Sequence, residues 1–218
     1  YSLHPINDQF QLKGQSIHSA VIHNSSIPIP KNISKRFELT DIEIENCKHW
    51  ACNLHGAILK DIRATKLTGG KGIPAFFWGC VYSNVILKGE ISGVLFRWQV
   101  DPQNEVLSKK VLKHNISLYK EIPMAIDISE AKFTTFQDTQ GVPASLIKRN
   151  PYWHYVVNRE NAKIMHSNVQ EYGIWSLVYD TLKATGLDDT VVVLAQKGKK
   201  YKEDREFAEE LRKQGMLE

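Results

Sequence analysis

A five-residue period runs through the first third of this chain. Stepping by five from Leu12 gives Ile17, Ile22, Ile27, Asn32, Phe37, Ile42, Cys47, Cys52, Ala57, Ile62 and Leu67. Eleven of these twelve positions are apolar, in a chain that is 42% hydrophobic. A second column lies two residues further on, at Leu39, Ile44, His49, Leu54, Leu59 and Ala64. A helix repeats at 3.6 residues and a strand at 2, so neither produces this pattern. A chain that turns a corner every five residues does, with the first and third side chains of each unit pointing inward. Four units make a step of 20 residues. Leu39-Thr-Asp-Ile is therefore expected to lie beside Leu59-Lys-Asp-Ile, its backbone bonded across at about 4.8 Å.

The clearest units, Cys52-Asn-Leu-His-Gly and Ala57-Ile-Leu-Lys-Asp, lead with a small residue, place Leu two positions on and finish polar. They resemble the units of the pentapeptide-repeat family. The likeness covers roughly residues 12–67, resumes at Cys80-Val-Tyr-Ser-Asn and Val85-Ile-Leu-Lys-Gly, and returns at Ile126-Asp-Ile-Ser-Glu and Ala131-Lys-Phe-Thr-Thr. It implies a right-handed β-solenoid with four-sided coils, and together with the texture of the C-terminal residues the expected fold is mainly β, capped by a small C-terminal α/β segment. Residues 1–140 would form the solenoid, with insertions near 68–79 and 97–122, and 141–218 a tail packed on its end. Asn32 and His49 at inward positions, and Pro28 and Pro30, depart from the pattern, so regular coils are expected only from Lys35 on. Insertions in repeat arrays become side loops and are frequent binding sites.

The tail has a different texture. Trp153-His-Tyr-Val-Val reads as a strand, Trp175, Val178, Tyr179 and Leu182 as one face of a helix stopped by Gly186, and Val191-Val-Val-Leu-Ala as a buried strand. A second helix spans Glu203 to Lys213. Strand, helix, strand, helix predicts a right-handed βαβ unit with parallel strands.

Charge and cysteine usage exclude several function classes. Three cysteines are too few for a disulfide framework and point to reduced thiols in a cytoplasm. Tyr1 to Phe10 lack a charged start followed by an apolar run, so no secretory leader is expected. Residues 151–218 carry 10 Lys and Arg against 11 Asp and Glu, which leaves 18 against 13, a net +5, for residues 1–150. That is too little for a dedicated nucleic-acid binder, and its sign excludes mimicry of DNA.

Chemical motifs are sparse. Cys47, His49, Cys52 and His55 are zinc-ligand types, but the cysteines fall on the small inward position as compact filler, so no metal is expected. Gly69-Gly-Lys-Gly lacks the spacing of a phosphate loop. Lys197-Gly-Lys-Lys-Tyr-Lys is a basic turn able to touch an anionic partner. His18, His23, His114, His154 and His166 are scattered, so neither a catalytic set nor a cofactor is expected.

The candidate residues are aromatic. Phe76, Phe77 and Trp78, with Arg97 and Trp98, are residue types that dominate protein-binding hot spots, and Tyr152, Trp153 and His154 form a second group. The expected function is a non-enzymatic, cytoplasmic protein-binding protein, with an immunity or protective factor that binds a toxin or enzyme as a special case. The competing readings are an enzyme with a site between solenoid and tail, and a weak nucleic-acid binder. Self-association into a homodimer is left open.

Overall fold

The five-residue period is visible first in the backbone. Left-handed residues recur at Asp41, Asn46, Ala51, Gly56, Asp61 and Lys66, so the chain turns every fifth residue. In this computed structural model, which describes residues 11–70, 73–198 and 201–218, the segments between turns pair as parallel strands.

In chain order, β1 (Gln11–His18), β2 (Val21–His23) and β3 (Ser26–Ile27) come first. β4 (Glu38–Trp50), β5 (Asn53–His55) and β6 (Ile58–Gly69) follow, then β7 (Ala75–Trp78), β8 (Val81–Ser83), β9 (Val85–Ile91) and β10 (Val94–Arg97). Helix α1 (Glu105–Tyr119) precedes β11 (Ile126–Phe133), β12 (Gln137–Asp138) and β13 (Ile147–Lys148). The rest comprises β14 (His154–Asn158), α2 (Arg159–Ser167), α3 (Val169–Tyr172), α4 (Val178–Thr185), β15 (Asp189–Val193) and α5 (Tyr201–Lys213).

One parallel sheet of eight strands follows the path β1-β4-β6-β9-β11-β13, with β2 and β8 attached to β4 and β6. A second, four-stranded sheet has the order β10-β7-β5-β3. Its strands are also parallel. Leu39 faces Leu59 and Ile42 faces Ile62, the 20-residue step. The neighbouring steps are longer, Leu12 to Leu39 and Leu59 to Tyr82. The extra residues are looped out, and the inward columns stay in line. Ile42, Cys47, Cys52, Ala57, Ile62 and Leu67 are all buried, as is His49. Leu54 is half-buried against the same core, and Asn32 is exposed.

The fold is mixed α/β, which corrects the expectation of a mainly-β right-handed solenoid with a small cap. Two parallel sheets are joined by a third, antiparallel sheet of order β12-β15-β14 and by helices in two parts of the chain. The five-residue pattern describes only the segments that carry it. The second insertion is a 15-residue helix, α1, started by Asn104, whose side chain accepts the Leu107 N–H at 3.0 Å. Val111, Leu112 and Tyr119 bury its inner face.

The parallel βαβ unit is also corrected, since β14 and β15 run antiparallel, His154 against Val193 and Asn158 against Asp189. The reason is α2, which the periodicity of the tail did not reveal. One helix returns the chain to the start of the first strand, giving a parallel pair. Here α2 leads out and α4 leads back, so β15 begins where β14 ended, with Arg159 N–H bonded to Asp188 O at 2.8 Å.

Alternation along β14 and β15 divides their side chains between two cores. Val156, Val191 and Val193 join the core of the parallel sheets, with Phe133 and Ile147. Tyr155, Val157, Val192 and Leu194 face Trp175, Val178, Leu182 and Leu211 in a second core. Among the described residues, no helix is long and apolar enough to cross a membrane. Tyr1–Phe10, the stretch with no expected secretory leader, lies outside the described residues, as do residues 71–72 and 199–200 of the two lysine-bearing turns.

Candidate interaction site

The four-stranded sheet sorts the first aromatic group by face. Ile27, Leu54, Phe77 and Phe96 stand in register and point into the core. Asn53, Phe76 and Leu95 stand in register on the outer face, beside a second outer column of His55, Trp78 and Arg97. Trp78 stacks on Phe76 at 4.9 Å and on His55 at 6.0 Å, and its indole N–H donates to Asn53 Oδ1 at 3.1 Å. All these outer side chains are half-buried. Phe76, Trp78 and Arg97 therefore remain surface candidates, with His55 and Leu95 added. Phe77, also half-buried, turns toward the core beside Phe96, and Trp98 does not remain at the surface. Trp98 is buried and packs against Gly141.

The second group divides similarly. The Asn150 side chain accepts the Tyr152 N–H at 3.0 Å, a local turn that brings Tyr152 and Trp153 edge to face at 5.1 Å. His154 is fully buried, edge-on to Phe133, and burial with the nearby Arg149 charge pulls its imidazole down to about 4. It is a core histidine.

Helix α5 completes a cleft beside Trp153. The Tyr155 hydroxyl donates to Glu209 at 2.9 Å, and Arg212 pairs with the same carboxylate at 3.1 Å and lies over the Tyr155 ring. Burial, then Glu209, pushes the Tyr155 phenol up, so it stays a neutral donor. Arg205 lies 3.6 Å over the Tyr152 ring.

Two features were missed from sequence. Arg36 is buried and donates to Gly56 O, to Gly79 O at 2.8 Å and to the Asn115 side chain, tying two left-handed turns to α1. Burial lowers its pKa, yet nothing in its sequence neighbourhood marks it. Large aliphatics are also left exposed across a short helical stretch: Ile164, Val169, Ile174 and Leu177, at 51%, 58%, 51% and 60%. Their failure to fit the face of Trp175, Val178 and Leu182 was the available signal.

Cys47 and Cys52 thiols donate to carbonyls of the adjacent strand, Ile17 O and Ile22 O, and all three cysteines are free. His49 bonds Ser92 O at 2.9 Å and His55 bonds Val100 O at 2.7 Å. Among the described residues, no three His, Cys, Asp or Glu side chains are placed to hold a metal ion. Burial pushes the Asp138 carboxyl up against the hydrogen bonds of Gln140 and Thr181 and the charge of Arg97. No family model matches this sequence, and no curated protein or solved structure is significantly similar to it.

Proposed function

We propose that this chain is a non-enzymatic protein-binding protein, of the kind that shields or neutralises a toxin or an enzyme, acting in the cytoplasm. The observation that carries the reading is the exposed aliphatic group Ile164, Val169, Ile174 and Leu177. Single exposed apolar side chains are ordinary, but a monomer gains nothing from four within fourteen residues, and such groups mark association surfaces. The outer face with Phe76, Trp78 and Arg97 supports the same reading, because Trp and Arg are favoured anchors. The free, buried thiols support a reducing compartment.

Capture from lysate of the source organism tests it, with the bound partner then purified and titrated. Ile174→Ser with Leu177→Ser should weaken the partner's binding by at least about 30-fold, the scale of one hot spot, without lowering the thermal midpoint. Loss with Phe76→Ser and Arg97→Glu instead would move the interface to the sheet. Binding undiminished in both pairs, or no protein retained by the wild type, would end the proposal.

A further inference from the structure

The cleft between Trp153 and α5 is independent of the surface just described and has a different chemistry. Its volume is about 560 Å³, within the usual range for small-molecule sites, and it is lined by aromatic and charged groups rather than aliphatic ones. Trp153 and Tyr201 line it, with the Arg205 guanidinium 5.5 Å from the centre of the Trp153 ring and the Lys202 ammonium 6.0 Å from that of Tyr201. Lys202, Arg205 and Lys213 supply three cations against the carboxylates of Glu206 and Glu209. Glu209 is already engaged by the Tyr155 hydroxyl and Arg212. Lys213 has only a distant partner, Glu210 at 3.8 Å. Among the described residues, neither Lys202 nor Arg205 has a carboxylate within ion-pair distance, and the buried Nε of Arg205 has no hydrogen-bond partner. Among the described residues, the cleft thus presents cations that have no close carboxylate partner and lie against aromatic rings, with Glu206 as an acceptor.

We propose that this cleft binds a nucleoside phosphate. The base would stack on Trp153, the phosphate would sit beside Lys202 and Arg205, one turn apart on α5, and Glu206 would accept from a sugar hydroxyl or an exocyclic amine. Arg205 is held in place by its stacking on Tyr152, which leaves its donors preorganised for an anion. The same chemistry arises in a free nucleotide and in one nucleotide of a single strand, where stacking platforms and cations also combine.

Calorimetric titration of the full chain with adenosine 5′-monophosphate, adenosine and inorganic phosphate tests this, with Trp fluorescence as a second readout. The monophosphate should bind at least about tenfold more tightly than either fragment, since each lacks one set of contacts. Lys202→Glu changes an exposed side chain, should leave the circular dichroism unaltered, and should weaken binding at least about tenfold. A short oligoadenylate distinguishes the sources. Tighter, steeply salt-dependent binding assigns the site to single strands, and affinity equal to the monophosphate assigns it to the free nucleotide. No binding of either at millimolar concentration, phosphate as tight as the nucleotide, or full binding by the Lys202→Glu variant would overturn the proposal.

Discussion

Leu59 stands between Leu39 and Tyr82 of the adjacent strands, is 5% exposed, and is followed by an exposed lysine. Leu59→Ala should therefore cost about 2–5 kcal/mol, and Lys60→Ala under about 0.5 kcal/mol, in urea denaturation. Equal midpoints would mean that the inward phase is wrong. His154 makes a separate prediction. Its folded pKa of about 4 lies below the ordinary 6.5, so between these values the unfolded chain binds a proton that the native chain excludes. Stability should fall as pH drops through that window, by roughly 3–4 kcal/mol at the limit from this group, and owe nothing to it above pH 7. His49, lowered by burial, acts in the same direction, and Asp138, raised, acts in the opposite one. The specific expectation is that His154→Gln flattens the slope of urea midpoint against pH between 7 and 4.5. An unchanged slope would show that the imidazole is charged in the native state.

Turns between strands decide how the elements stack. Six left-handed residues in steps of five, from Asp41 to Lys66, include only one glycine, Gly56. A left-handed backbone costs a side-chain-bearing residue about 1–2 kcal/mol, partly offset by the greater chain entropy glycine restores to the unfolded state. Lys66→Gly, at φ 55°, should accordingly raise stability by about 0.5–1 kcal/mol. Gly79 is the opposite case. Its φ is +56°, and a Cβ there would lie 2.9 Å from Val100 Cβ and 3.0 Å from Val100 Cα. Gly79→Ala should lose at least about 2 kcal/mol, strain and overlap together, and disturb the carbonyl that Arg36 holds. Thermal denaturation of the two variants reads both signs. A destabilised Lys66→Gly would show that the turns take no strain.

Across the whole molecule, the tail and the parallel sheets share interior and backbone. β12 pairs with β15, Val156, Val191 and Val193 enter the first core, and Gln196 N–H donates to Phe133 O at 2.8 Å. Deleting residues 151–218 would leave β12 unpaired and expose Phe133 and Ile147, both now buried. The 1–150 fragment should aggregate, bind hydrophobic dyes and unfold without a cooperative transition. A monomeric, cooperatively unfolding fragment would show that the first core closes without the tail.

Read from sequence alone, Ile42, Cys47, Ala57, Ile62 and Leu67 are inward, Leu39 lies beside Leu59, and Gly186 ends a helix, as the structure has them. These depend on short repeats and on local backbone preference, which adjacent residues carry. The aromatic candidates were legible as residue types but not as positions. Phe76 and Phe77 are neighbours that point to opposite faces, and only the register with Leu95 and Phe96 tells them apart. The mixed α/β class, the antiparallel pairing of β14 with β15 and the bonds of Arg36 to Gly56, Gly79 and Asn115 were decided by the tertiary structure. Each depends on groups distant in sequence meeting in space, and no local period records where a returning chain will dock.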